Sequence, residues 1–211
     1  MTARIAILDY GMGNLRSVEK ALEQVGATAT ISSDAAEARA ADGVILPGVG
    51  AFPRAMERVR ECGLDELIGE RREAGVPILG ICLGLQLLFD STTELGGAAG
   101  LGLLPGGVDE LDADGLKVPH IGWSPVRWEQ DSVLTRGIAD ETPFYFVHSF
   151  APRPESGDLL GTAVYGARFA CAAQRDNVFG VQFHPEKSSA AGLRLLANFA
   201  GICARTPAAA A

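Results

Sequence analysis

Cysteine is scarce in this 211-residue chain and poorly spaced for metal chemistry. Cys62, Cys82, Cys171 and Cys203 lie 20, 89 and 32 positions apart, so there is no C-x-x-C pair and no zinc knuckle. A chain this long buries roughly 70% of its unfolded surface, enough for a core without disulfides or a structural metal. The thiols are therefore expected to be reduced, and the compartment cytoplasmic. Long apolar runs are also missing. The longest, residues 76–89, has 14 residues and is broken by Pro77, two glycines and Gln86, too short and too interrupted to span a membrane. The apolar run near the amino terminus stops at Asp9, too early for a secretory signal. No Lys/Arg run occurs, and 18 basic against 26 acidic residues leave a net charge of −8, which disfavours a nucleic-acid partner. Aromatics are only 7% of the chain, yet hydrophobic residues reach 47% and charged ones 21%, which excludes a disordered polymer.

What is present is an alternation of short apolar runs and amphipathic stretches. Residues 4–8 form a buried strand closed by Asp9 and Gly11. Leu15, Val18, Leu22 and Val25 then recur at helical spacing, with Gly26 as the terminating residue. Strands are predicted over 28–31, 43–46 and 76–81. Helices are predicted from Pro53 to near Gly63, from Leu64 to Ala74, and over 83–89. Such βα units imply a mostly parallel sheet with helices on both faces. After Asp90 the texture changes. Residues 91–107 are rich in glycine and turn formers, and strands follow over 144–150, 159–165, 168–174 and 178–183, the last two as a hairpin through Arg175, Asp176 and Asn177. The expected class is thus α/β with antiparallel strands in the C-terminal third. A final helix over 189–203 puts Leu193, Leu196 and Phe199 on one face, and Pro207 with the alanine tail is expected to fray. No repeat or linker divides the chain, so one domain over 1–211 is expected.

The strongest local signal is Gly80-Ile81-Cys82-Leu83-Gly84, a nucleophile between two glycines where a buried strand meets a helix. Free N–H groups at that helix start favour the attacking thiolate, and the Leu83 amide is placed to bind an oxyanion. The other cysteines read as small buried hydrophobes. A base is needed, and the chain has only His120, His148 and His184. His184 ends a strand in Phe183-His184-Pro185-Glu186, where Glu186 can orient the imidazole and stabilise its charged form; a surface turn with an ordinary ion pair is the bland alternative. H-x-E also opens a zinc deaminase signature, but its P-C-x-x-C half is absent. Pro47-Gly48-Val49-Gly50 follows a strand and can offer a second oxyanion amide, or be a plain turn. Gly11-Met12-Gly13 lacks the third glycine of a dinucleotide loop, since Arg16 stands there, and no cofactor or metal is expected. Gln86 sits in an apolar segment and must bond either substrate or a core loop. Trp123 is either a half-buried aromatic on an edge strand or an interface anchor.

These segments together resemble class I glutamine amidotransferases, whose two signatures match Gly80-Ile81-Cys82-Leu83-Gly84-Leu85-Gln86 and Phe183-His184-Pro185-Glu186. Asp9-Tyr10-Gly11-Met12-Gly13-Asn14, Pro47-Gly48-Val49-Gly50, Pro119-His120-Ile121-Gly122-Trp123, Phe146-Val147-His148-Ser149 and Lys187-Ser188 narrow the resemblance to the branch serving imidazole glycerol phosphate synthase. The family often has tyrosine where this chain has Phe150. The resemblance implies a flavodoxin-like fold and a triad of Cys82, His184 and Glu186. It implies an oxyanion site at Leu83 with Val49 or Gly50, and a glutamine pocket at Gly48, Gly50, Gln86, His148, Ser149 and Phe150. It also implies a heterodimer with a (β/α)₈ cyclase subunit, met through Asn14, His120, Trp123, Tyr145 and Lys187. The cyclase uses the ammonia to make imidazole glycerol phosphate and an aminoimidazole carboxamide ribonucleotide. Three rivals stay open: a glutaminase for another acceptor such as anthranilate synthesis, against which the Pro119 to Trp123 segment speaks; a thiol peptidase or redox protein using Cys82 alone; and an inactive binding module.

Overall fold

The computed structural model describes residues 2–205; Pro207 and the alanine tail lie outside the described residues. The first half alternates β1 (Arg4–Leu8), α1 (Leu15–Gln24), β2 (Thr28–Ser32), α2 (Ala35–Arg39), β3 (Gly43–Gly48), α3 (Phe52–Glu61), α4 (Leu64–Glu73), β4 (Ile78–Cys82) and α5 (Leu83–Leu87). The second half holds β5 (Phe89–Thr92), β6 (Ala98–Ala99), β7 (Leu104–Glu110), β8 (His120–Trp128), β9 (Thr142–His148), β10 (Phe150–Pro154), β11 (Leu159–Tyr165), β12 (Ala167–Arg175), β13 (Val178–Val181) and α6 (Ser189–Cys203). Nine strands form one sheet in the order β2-β1-β3-β4-β13-β12-β11-β8-β9, and β10-β7-β5-β6 form a second. Pairing is parallel from β2 to β13 and antiparallel from there to β9.

The continuous apolar runs have a direct cause. Side chains alternate across a strand, and both faces of the parallel half are covered. Ile5 and Ile7 point into a core shared with Val18 and Leu22 of α1 and Leu195, Leu196 and Phe199 of α6. Ala6 and Leu8 point into the opposite core, with Phe52, Met56 and Val59 of α3, Leu67 of α4 and Leu85 of α5. On α6 the buried face runs through Leu195 and Leu196; Leu193, expected on it, is only partly buried.

The elbow helix is shorter than the expected 83–89. Leu101 N–H bonds to Leu87 O at 2.9 Å, and Leu103 and Leu104 N–H both bond to Leu88 O at 2.8 and 3.0 Å. These amides satisfy the terminal carbonyls, and Phe89 enters β5. The glycine-rich stretch 91–107 is not all turn: it carries β6 and the start of β7. Trp123 does not sit on an edge strand either, because β8 lies between β11 and β9. The parallel strands β3, β4 and β13 are neighbours, so their C-terminal ends deliver residues 48–50, 82 and 182–184 to one edge of the sheet, where open α/β sheets hold ligands.

Candidate active site

Cys82 closes β4 and immediately precedes α5, with φ 55° and ψ −113°. A positive φ in a residue with a Cβ costs on the order of 1–3 kcal/mol, strain of the kind that clusters where a side chain must be presented. The flanking glycines make the turn possible. A Cβ on Gly84 would lie 1.7 Å from the Leu46 carbonyl oxygen, and one on Gly80 would lie 2.7 Å from the Gly84 backbone. The Cys82 thiol donates to Val147 O at 3.8 Å and accepts from Gln182 Nε2 at 3.7 Å.

His184 follows β13, and Pro185 to Lys187 form a 3₁₀ turn that brings Glu186 back beside it. His184 Nδ1 meets Glu186 Oε1 at 2.9 Å, with both side chains almost fully buried. That bond to a carboxylate sets Nδ1 as the donor and leaves Nε2 as the working nitrogen. His184 Nε2 and Glu186 Oε2 are buried with no hydrogen-bond partner among the described residues. Burial alone would lower the His184 pKa; the nearby Cys82 sulfur and the Glu186 carboxylate outweigh it and raise the value to about 9.

Cys82 and His184 line one cavity of about 340 Å³, together with Val49, Gly50, Leu83, Gln86, Glu94, Pro119 and the 147–150 segment. This is the size range of a small-molecule site. Gly48 is paired in register with Cys82, which sets the following loop beside the elbow. Gly50 has φ +103°, and Met12 packs where its Cβ would be. Gly48 itself, expected to touch substrate, does not line this cavity. It is buried beneath, where a Cβ would meet the Tyr10 hydroxyl at 2.4 Å and Leu83 at 3.0 Å. Tyr10 donates to Pro47 O at 2.8 Å and anchors the base of the loop.

Gln86 answers both alternatives raised from the sequence: it lines the cavity, and its amide donates to Phe150 O and to Gln182 Oε1, each at 3.0 Å. Two cavity groups escaped the sequence reading. Gln182, fully buried, links Gln86 to Cys82; a lone polar residue inside the apolar run 178–183 was the available signal. Glu94 lines the cavity, and its carboxylate accepts the Phe52 amide at the start of α3, at 2.8 Å. It was hidden in the turn-rich stretch.

Of the residues expected at a partner surface, Trp123 is 52% exposed and Lys187 is exposed. Tyr145 stands opposite Trp123 in the β8–β9 ladder, their rings edge to face at 6.0 Å, with Lys187 Nζ 5.9 Å from the Tyr145 ring centre. Asn14 borders Pro47, Val49, His184 and Glu186. His120 departs from this group. It is buried, because β8 alternates and turns position 120 inward while Ile121 and Trp123 face out.

The family model for class-I glutamine amidotransferases matches residues 6–202. Imidazole glycerol phosphate synthase subunit HisH of Moorella thermoacetica is 56% identical over 92% of this chain and 93% of that protein. The HisH proteins of Bacillus cereus and Chlorobium luteolum are 48% and 46% identical, covering 94% and 93% of the chain and 94% and 98% of those proteins. Among solved structures, a glutamine amidotransferase superimposes with a TM-score of 0.73 at 20% identity, over 93% of this chain and 98% of that one. A chain of PurLQS from Thermotoga maritima does so with the same TM-score and identity, over 94% and 98%; both are likenesses of fold. The chain belongs to the class-I glutamine amidotransferases and, within them, to the HisH subunits of imidazole glycerol phosphate synthase.

Proposed function

We propose that Cys82, His184 and Glu186 hydrolyse glutamine in the 340 Å³ cavity by way of a cysteine thioester. Cys82 passes its thiol proton to His184 Nε2, and the resulting thiolate attacks the carboxamide carbon. The developing oxyanion rests on the Leu83 amide and an amide of Val49 or Gly50. His184, held by Glu186, gives its Nε2 proton to the departing nitrogen, so ammonia leaves and the thioester remains. The same nitrogen then takes a proton from water as the water attacks; the C–S bond breaks, the proton returns to the Cys82 sulfur, and glutamate is released. Gln86, Gly50 and the backbone of residues 148–150 hold the amino-acid end, and the Glu94 carboxylate suits its ammonium group.

The chain is an enzyme of histidine biosynthesis: it releases ammonia from glutamine and feeds the cyclase subunit of imidazole glycerol phosphate synthase. The partner's docking face is read as Trp123, Tyr145, Lys187 and Asn14, a patch adjoining the cavity mouth at Pro119 and Val147. The family match over 6–202 supports treating 1–211 as one amidotransferase domain. The described residues hold no helix long and apolar enough to cross a membrane, and a cytoplasmic location is inferred from the biosynthetic role.

The observation that carries the mechanism is that an elbow cysteine and a carboxylate-held histidine, 102 positions apart, line one cavity. Ammonia release from glutamine by the assembled enzyme tests it. Cys82→Ala is expected to abolish turnover while cyclase binding survives. His184→Ala should lose on the order of 10²–10⁴-fold, and Glu186→Gln less, because Glu186 orients and does not react. Substantial turnover by Cys82→Ala, or Glu186→Gln worse than His184→Ala, would overturn the assignment.

A further inference from the structure

Two of the three histidines are outside the proposed triad, and both are buried on the inner face of the β8–β9 pair. His120 and His148 are direct cross-strand partners. The His120 ring lies between Phe146 and Tyr165, stacked at 5.1 and 4.2 Å, with Phe169 edge-on at 5.8 Å. Its Nε2 is 3.0 Å from Ser124 Oγ, and its Nδ1 is 3.1 Å from His148 Nε2. His148 Nδ1 is 2.9 Å from Phe150 O.

The last of these contacts fixes the rest. A carbonyl only accepts, so His148 carries a proton on Nδ1 and, when neutral, accepts at Nε2. His120 must then donate from Nδ1, and its Nε2 accepts the Ser124 hydroxyl. A second proton on either ring either turns two N–H groups toward each other or removes the acceptor that Ser124 uses. Burial, which lowers both histidines' pKa values, acts in the same direction.

The chain of contacts does not end at Phe150. Its carbonyl also accepts the Gln86 amide, so both lone pairs are used and this oxygen is an anchor, not a substrate acceptor. The second Gln86 amide proton goes to Gln182, whose own amide reaches the Cys82 sulfur. Gln86 is thereby turned so that Oε1 is the group it can offer to a ligand.

We propose that His120 and His148 are positioning residues for glutamine binding: a neutral pair, both protonated on Nδ1, that locks the Phe150 carbonyl and through it the Gln86 carboxamide. This rests on reading the cavity as the glutamine site. The geometry assigns His120 to this internal relay, while its neighbours Ile121 and Trp123 face outward from the same strand.

Two measurements test it. Long-range ¹H–¹⁵N correlation spectra of histidine-labelled protein should show both rings as the Nδ1–H tautomer at neutral pH; the Nε2–H tautomer at either ring, or an imidazolium, overturns the proposal. In the assembled enzyme, His120→Phe keeps the ring stack and removes the donor. It should raise the glutamine KM about tenfold or more with kcat within about threefold, the mark of lost ground-state binding. His120→Asn, which keeps an amide donor near the Nδ1 position, should return KM to within about threefold of wild type. An unchanged KM in His120→Phe, or no recovery in His120→Asn, overturns the role. Failure of the cavity reading looks different: Cys82→Ala would keep turning over glutamine, whatever the tautomers of His120 and His148.

Discussion

His148 shows how much a single buried side chain can govern. Burial pushes its pKa down to about 4; its bond to Phe150 O resists this, and the nearby His120 and His184 add to the lowering. Since the unfolded-state value is about 6.5, the folded chain binds fewer protons there than the unfolded chain between those two values. Stability from this group is therefore complete above about pH 6.5 and is lost as pH falls toward 4, by about 3 kcal/mol in all. His184 runs the other way in a separate window. Its value, raised to about 9, gives a contribution that is full below 6.5 and fades as pH rises through 9. Urea unfolding at pH 7 and pH 4.5 checks the His148 case: the wild type should lose more stability across that interval than His148→Gln, which has nothing to protonate. Parallel losses in the two proteins would show that His148 is charged in the fold or free of burial cost.

Among the elements, the β4–α5 elbow is the most constrained, and its constraint is spatial. Gly84 sits where α5 crosses β3, with the Leu46 carbonyl 1.7 Å from any added Cβ, and a Cβ on Gly180 would meet the Leu85 side chain at 2.2 Å. Backbone cannot withdraw as a flexible side chain can. Gly84→Ala is thus expected to destabilise the chain by about 3–5 kcal/mol, seen as a lower denaturation midpoint or as insoluble protein. Gly69→Ala in the interior of α4, where a Cβ meets nothing within 4 Å, is the control and should stabilise the chain by up to about 1 kcal/mol. The elbow was readable in the sequence because its signals are local: an apolar run, two glycines and a nucleophile within five residues. The boundaries of α5 were not, because the amides that end it come from residues 101–104. Strand β7 was missed for a similar reason. Its Leu-Pro-Gly-Gly start reads as a turn, yet Gly106 is needed because the Arg153 carbonyl lies 2.2 Å from where a Cβ would be. Helix α2 did leave a trace, since Asp34 caps it through the Ala36 amide at 2.7 Å with Glu37 three residues on. The proposed triad was legible as two short motifs. Gln182, Glu94 and the inward turn of His120 depend on pairings between segments far apart in the chain, which no window of sequence displays.

For the whole molecule, the two halves of the large sheet are dressed differently. The parallel half is covered by helices on both faces, while the outer face of β8 and β9 leaves Ile121 at 61% and Trp123 at 52% exposed. Alternation forces this arrangement: the residues that fill the inner face, His120, Ser124 and Val126, put Ile121, Trp123 and Pro125 outside. An exposed tryptophan braced edge-on by Tyr145, with Lys187 beside that ring, is a preorganised anchor of the kind that dominates interfaces. It also lies next to the cavity, since Ile121 pairs with Val147, whose carbonyl accepts from Cys82. Docking on this face would cover the cavity at Pro119 and Val147. Trp123→Ala should therefore weaken binding of the cyclase subunit by about 2 kcal/mol or more, near thirtyfold in Kd by titration calorimetry. Because the ring is half in solvent, the thermal midpoint of the lone chain should move by only about 1–3 °C, well short of a core truncation. A Kd unchanged by the substitution would place the partner elsewhere. A large fall in midpoint would instead make Trp123 a fold residue, and the exposed face of β8 and β9 would need another explanation.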